Sequence, residues 1–101
     1  MNHTQQERIA EKFFEECLDI LTSKAHDYAS DKDVFSNFKK IGMMVDIPVE
    51  KVFLQFMSVK LARLVELMDK EAKHESVYDS LRDLANYACL MALYLNSKEG
   101  V

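Results

Sequence analysis

Four polar side chains that supply oxygen ligands share one face of the last predicted helix. They are Glu75, Asp79, Asp83 and Asn86, and spacings of four, four and three residues keep them on one side. Carboxylates four residues apart repel each other by roughly a few tenths of a kcal/mol, so the row needs a cation, a basic partner or full hydration. The helix dipole favours Glu75 and Asp79 near the start of the helix, but it does not account for Asp83.

Two basic residues on the preceding predicted helix can supply the partner. Lys60 and Arg63 are three residues apart and therefore lie on one face. If the third and fourth helices form an antiparallel hairpin that turns near 73–74, Arg63 lies opposite Asp83 and Lys60 lies opposite Asn86. We expect a groove that holds two cations, two or three carboxylates and one amide.

The chemistry of this groove allows two interpretations. Carboxylates with an amide suit Mg²⁺ or Mn²⁺, with Glu75, Asp79 and Asp83 as the metal ligands, while Arg and Lys suit phosphate. Together these side chains describe a site for a nucleotide with its metal. A structural salt-bridge network between two helices explains the same residues equally well, and the sequence leaves both open. Glu66 is better placed to pair with Lys70, four residues later.

These side chains are expected to lie on a framework of four helices. The sequence predicts a single domain, 1–101. Apolar periodicity predicts helices over about 4–25, 33–45, 49–73 and 76–95. A capping box at Thr4 and Glu7 is expected to open the first helix, and Pro48 separates the second from the third. The fold class predicted is all-α, a compact four-helix bundle with three longer helices and one short helix.

The second half of the fourth helix, 88–95, is apolar on every side, whereas a helix in a four-helix monomer normally keeps one hydrated side. We therefore expect a homo-oligomer that forms through this C-terminal helix. On the third helix, eight apolar residues form one broad stripe that we expect to be core: Val52, Phe53, Phe56, Met57, Leu61, Leu64, Val65 and Met68. Cys17 and Cys89 are also expected to be small core residues.

Composition excludes several classes of protein. The chain has 49% hydrophobic residues but only 2 Gly and 1 Pro, which disfavours turn-rich β folds. A formal net charge of −4 disfavours generic binding to DNA or to anionic membranes. The chain has 2 cysteines, no apolar leader at its start and no apolar run long enough to span a membrane, so we expect a cytoplasmic protein.

Four motifs in order resemble the nucleotide modification associated domain 1 family, small proteins found largely in phages. The motifs are KAHDY at 24–28, NF at 37–38, KLAR at 60–63 and ESVYDSLRDLANYA at 75–88. The resemblance implies a protein that handles a nucleotide or a nucleotide derivative, but it implies no settled reaction. The residues that it marks are Lys24, Asp27, Tyr28, Asn37, Lys60, Arg63, Glu75, Asp79, Asp83 and Asn86. Tyr28 would stack on a base or pack a lid.

A more distant likeness is to the MazG-like all-α nucleoside triphosphate pyrophosphatases, which hold Mg²⁺ between acidic pairs on two helices. This chain departs from their pattern, because it has one acidic row and only the loose pair Glu16 and Asp19 on the first helix. Metal-activated hydrolysis is therefore in doubt.

The residues and the resemblance together leave three candidate functions. The first is a phage-type protein that binds a nucleotide, or a nucleotide-derived host immune signal, and sequesters it from the cytoplasm of the infected cell. The second is a Mg²⁺-dependent phosphohydrolase or pyrophosphatase of modified or noncanonical nucleotides. The third is a helical module that only binds another protein, through the apolar end of the fourth helix.

Overall fold

The structure, a computed structural model, describes residues 1–28, 33–70 and 74–98, with the side chains of 24–28 and 74 outside this description. Four helices account for most of these residues: α1 (His3–Tyr28), α2 (Ser36–Val45), α3 (Val49–Met68) and α4 (His74–Lys98). The prediction of an all-α four-helix bundle with one short helix is confirmed. None of the described helices has the length and apolar content needed to cross a membrane.

Helix α1 begins earlier and ends later than predicted. The Asn2 Oδ1 accepts a hydrogen bond from the Gln5 backbone N–H, and the Gln5 Oε1 accepts one from the Asn2 backbone N–H, each at 2.9 Å. This reciprocal pair is a capping box, so the box predicted at Thr4 and Glu7 is wrong by two residues. At its other end α1 continues to Tyr28, across part of the stretch predicted as a loop.

Helix α2 begins at Ser36, three residues later than predicted, because Asp33 forms a local turn. Its side chain accepts a hydrogen bond from the Phe35 N–H at 2.9 Å, and its carbonyl accepts one from the Ser36 N–H at 3.2 Å. An Asp that binds its own neighbouring backbone in this way competes with helix formation. The Lys39 Nζ also forms an ion pair with the Asp33 carboxylate, at 2.7 Å.

The connection from α2 to α3 follows the predicted boundary at Pro48. Asp46 takes the left-handed conformation, with φ of 56°, and donates its N–H to the Gly42 carbonyl. Pro48 is extended and leads into α3, which ends at Met68 rather than near 73. Helix α4 begins at His74, so Ser76 and Asp79 lie inside the helix and not at the predicted cap.

Helices α3 and α4 form the antiparallel central pair. The Lys98 Nζ near the end of α4 contacts the Glu50 carboxylate at the start of α3 at 2.8 Å. Helix α2 packs on α3 through Phe38, whose ring lies 4.5 Å from that of Phe53 and 5.7 Å from that of Phe56. Helix α1 packs on α4.

Few hydrophobic side chains are buried in the described part of the chain. Those buried are Cys17, Val52, Phe53 and Leu67. The stripe predicted as core on the third helix is divided: Leu61, Val65 and Met68 are 51%, 65% and 63% exposed. Cys89, also predicted as core, is exposed, so that prediction is wrong. Cys89 lies one residue after Ala88 on α4, which is also exposed.

Candidate functional site

An ion pair lies at the centre of the interface between α3 and α4. The Lys60 Nζ is 2.8 Å from the Asp83 Oδ2, and the two side chains are 29% and 19% exposed. The aromatic stack of Phe56 on Tyr87, with ring centroids 5.3 Å apart, lies one turn further along the same interface. Partial burial protects the charges from full screening by solvent, so the pair fixes the Lys60 side chain against α4.

The predicted partners of Lys60 and Asp83 are different from those observed. Sequence spacing placed Arg63 opposite Asp83 and Lys60 opposite Asn86, and both pairings are wrong. Residues three apart on a helix differ by about 60° in direction. Lys60 and Asp83 face the interface, whereas Arg63 is turned towards solvent and Asn86 towards α1.

Arg63 is 53% exposed, and its guanidinium Nη1 lies 3.9 Å from the Glu66 Oε2. That distance is too long for a charge-assisted hydrogen bond. Glu66 instead contacts the Lys70 Nζ at 3.2 Å, as the sequence predicts. The Arg63 guanidinium therefore keeps its donors available to an incoming anion.

Asn86 is buried against α1 and donates its side-chain N–H to the Cys17 carbonyl at 3.0 Å. Burial raises the pKa of the neighbouring Cys17 thiol, which keeps this thiol protonated. The Asn86 amide therefore links two helices, and the described structure gives it a structural role.

The three acidic residues predicted to bind metal have separate surroundings. Glu75 is exposed in the first turn of α4, Asp79 contacts the Arg82 Nη1 at 3.2 Å, and Asp83 contacts Lys60. Among the described residues, no group of three or more His, Cys, Asp or Glu side chains is arranged to hold a metal ion. A divalent ion at Asp79 and Asp83 would have to displace both cations.

Arg82 is a residue that the sequence reasoning did not single out. Its guanidinium contacts the Glu16 carboxylate on α1 at 2.7 Å and the Asp79 carboxylate on α4 at 3.2 Å, and it lies 5.7 Å from the centre of the Tyr78 ring. The only signal in the sequence is the spacing of three between Asp79 and Arg82. Arg82 therefore joins α1 to α4 and neutralises part of the acidic row.

Four other predicted residues lie towards the end of α1 and the start of α2. Lys24, Asp27 and Tyr28 belong to the last turns of α1, and their side chains lie outside the described part of the structure. Asn37 is exposed in the first turn of α2. The structure therefore neither joins these residues to Lys60 and Asp83 nor separates them.

An open apolar groove of 590 Å³ lies between the first half of α1 and the start of α4. Its walls are formed by side chains that include Ile9, Phe13, Phe14, Tyr78 and Leu81. None of the predicted site residues in the described part of the chain lines it. The groove and the pair of Lys60 and Asp83 are thus different surfaces.

Comparison with known proteins returned no match to a protein-family model, a curated protein or a solved structure. The likeness to the nucleotide modification associated domain 1 family therefore stays a prediction from the four motifs.

Proposed function

We propose that this protein binds a phosphorylated nucleotide, or a signal derived from one, and holds its phosphate groups with Lys60 and Arg63. One observation supports the proposal most: two cations stand side by side on α3, one fixed and one open. Asp83 fixes Lys60 at 2.8 Å, while Arg63 is 53% exposed and 3.9 Å from the nearest Glu66 oxygen.

The spacing of the two cations suits phosphate. Side chains three residues apart on a helix have Cβ atoms about 5–6 Å apart, so both heads can reach one phosphate or two successive phosphates. Arg63 contributes a planar fork that bonds two oxygens at once, and Lys60 contributes a point charge. Asp83 restricts Lys60 before the ligand arrives, which reduces the entropy lost on binding.

The remaining roles rest on the resemblance. Tyr28 would stack on the base, Lys24, Asp27 and Asn37 would line the site, and Asp83 would orient the ribose or the base edge. Asn86 is also expected to orient the ligand, but its side chain donates a hydrogen bond to the Cys17 carbonyl at 3.0 Å. It would therefore act by holding α1 in place. In a phage-infected cell, such a protein would sequester a host immune signalling nucleotide in the cytoplasm.

The alternative is a Mg²⁺- or Mn²⁺-dependent phosphohydrolase of modified or noncanonical nucleotides. One observation favours it: Asp79 and Asp83 lie one turn apart on α4, and the Asp79 side chain is 66% exposed. Both carboxylates would reach one ion if Arg82 and Lys60 moved to the substrate phosphates. Under this alternative, Asp79→Asn and Asp83→Asn each abolish turnover.

The quaternary structure is part of the proposal. Ala88, Cys89 and Ala92 on the second half of α4 are exposed, as are Leu93 at 45% and Leu95 at 40%. We call these side chains the C-terminal surface. The sequence predicts that two copies of the chain contact each other there. A protein that acts only by binding another protein would use the same surface and would retain no nucleotide.

The experiment that separates these functions follows the fate of the ligand. Purified protein is incubated with nucleoside triphosphates, modified nucleotides and cyclic signalling nucleotides, with and without Mg²⁺, then heat-denatured, and the released molecules are identified by mass spectrometry. We expect one nucleotide to be depleted from solution and returned intact. A Mg²⁺-dependent product would support the hydrolase, and no depletion of any nucleotide would contradict both.

Arg63→Ala tests the phosphate contact directly. We expect it to weaken binding of the retained nucleotide by roughly tenfold to a hundredfold, because it removes a charge-assisted contact. Arg8→Ala removes the same charge from an exposed position on α1 and should leave the affinity unchanged. Equal affinities of Arg63→Ala and the unsubstituted chain, measured by calorimetry, would show that Arg63 does not contact the ligand.

A further inference from the structure

The outer face of α3 carries an apolar stripe that is exposed in the described part of the chain. Leu54, Leu61 and Met68 are seven residues apart, and Val65 lies between the last two. Their exposed fractions are 48%, 51%, 63% and 65%. The spacing of seven with an intermediate residue is that of the contact seam of a coiled coil. We call these four residues the α3 seam.

The opposite face of α3 is already used for folding. Val52 and Phe53 are fully buried against the rest of the bundle, and Leu67 is 8% exposed. A single helix therefore has two apolar faces, one towards the core and one towards solvent. A helix with apolar residues on most of its circumference is normally enclosed on both sides.

We propose that the α3 seam is the interface with a second copy of this chain, packed antiparallel about a two-fold axis near Leu61. Under such an axis the interface must complement itself, so each residue on one side of Leu61 needs a suitable residue on the other side. Leu54 lies seven residues before Leu61 and Met68 seven after it. The two copies therefore place Leu54 of one against Met68 of the other and bring both Leu61 side chains together at the centre.

Charges at the edge of the seam select this orientation. Lys51 and Asp69 are exposed and eighteen residues apart, which is about five turns, so they lie on the same side of the α3 seam. An antiparallel pair brings Lys51 of each copy within about one turn of Asp69 of the other. A parallel pair would instead keep Lys51 of one copy and Asp69 of the other at opposite ends of the interface, so this contact would not form.

The folded chain has a large exposed surface for its mass. The folded chain exposes 7754 Å², whereas a monomer of 11.7 kDa is expected to expose about 5,900 Å². The difference, about 1,900 Å², exceeds the roughly 800 Å² that each partner buries in a standard interface.

The test measures molar mass by light scattering during size-exclusion chromatography, at several protein concentrations. We expect the unsubstituted chain to form at least a dimer. Leu61→Glu, which brings two carboxylates together at the axis, should weaken association by roughly thirtyfold or more. The double variant Leu61→Glu with Leu93→Glu should be a monomer. Leu93→Glu introduces the same charge on the C-terminal surface and should leave at least a dimer.

Charge reversal supplies a second test that does not depend on the core of the seam. Lys51→Asp should weaken the dimer, because it faces Asp69 of the other copy, and the double variant Lys51→Asp with Asp69→Lys should restore it. Circular dichroism confirms that each variant is helical. A monomeric unsubstituted chain, a Leu61→Glu chain that associates as tightly as the unsubstituted chain, or a monomeric Leu93→Glu would each overturn the proposal. So would a Lys51→Asp chain with Asp69→Lys that associates no more tightly than Lys51→Asp alone.

Discussion

Asn86 places a polar amide in one of the few buried positions on α4. Its N–H bonds the Cys17 carbonyl at 3.0 Å, and Asn86 is 8% exposed. We expect Asn86→Ala to lower the free energy of unfolding by about 1–3 kcal/mol, because the contact between α1 and α4 is lost and a small cavity forms. Urea unfolding followed by circular dichroism measures this loss.

Asn96→Ala is the matched control, since Asn96 is exposed on the same helix. Its free energy of unfolding should stay within about 0.5 kcal/mol of that of the unsubstituted chain. If Asn86→Ala unfolded at the same urea concentration as Asn96→Ala, the structural role assigned to Asn86 would be wrong.

The polar residues on α3 and α4 show how far sequence can predict a site. Helical spacing correctly placed Lys60 and Asp83 at the interface of two antiparallel helices. It could not decide between Lys60 and Arg63, or between Asp83 and Asn86, as the residues that meet. Residues three apart share a broad face, and the packing of α1 and α2 decides which of them points into an interface.

At the scale of the element, Gly42 determines how α2 turns into α3. A Cβ at this position would lie 2.9 Å from the Ile47 carbonyl oxygen, which belongs to the backbone. Alanine is the better helix former by about 1 kcal/mol. We nevertheless expect Gly42→Ala to lower the free energy of unfolding by about 1–3 kcal/mol, because the turn must open to admit the methyl group.

Asp46→Gly in the same turn should have the opposite effect. Asp46 has a φ of 56°, a conformation that costs a residue with a side chain more than it costs glycine. Its replacement should leave stability unchanged or raise it by up to about 1 kcal/mol. Urea unfolding compares both variants, and a Gly42→Ala chain more stable than the unsubstituted chain would contradict the close contact.

The ends of the helices were predicted less well than their existence. Asn2 with Gln5 and Thr4 with Glu7 are both acceptable capping patterns in sequence, and they differ by half a turn. At α2 the side chain of Asp33 bonds its own backbone, so the helix starts later than its apolar spacing indicates. Local hydrogen bonds of comparable strength decide such boundaries.

For the molecule as a whole, the packing of α1 on α4 determines which helix opens most readily. In the described part of the chain, α1 packs chiefly on α4, held by the Arg82 contact to Glu16 and the Asn86 contact to Cys17. Helices with few buried contacts open more readily than the global unfolding reaction requires. We expect the backbone amides of α1 to exchange with deuterium faster than those of α3.

Arg82→Ala should accelerate exchange in α1 and leave α3 unchanged, as followed by mass spectrometry. Lys70→Ala, which removes a surface pair with Glu66 on α3, serves as the control. Equal protection of α1 and α3 in the unsubstituted chain would show that the four helices open as one unit.

Apolar periodicity predicted four helices, but it could not say what covers each apolar face. Leu61, Val65 and Met68 follow the same helical spacing as Val52 and Phe53, so the sequence assigned all of them to one core. Burial inside a chain and burial between chains leave the same pattern. The three-dimensional structure shows which faces of α3 the described chain itself covers: α4 and α2 pack on α3, and Leu61, Val65 and Met68 are exposed.

The large exposed surface also affects how a separated single chain responds to denaturant. The denaturant dependence of the free energy of unfolding, and the heat capacity change, both grow with the surface that unfolding newly exposes. In this chain 7754 Å² is exposed before unfolding begins. We therefore expect a single chain to unfold over a broad range of denaturant concentration and with a small change in heat capacity. Association through the proposed α3 seam would make the transition sharper.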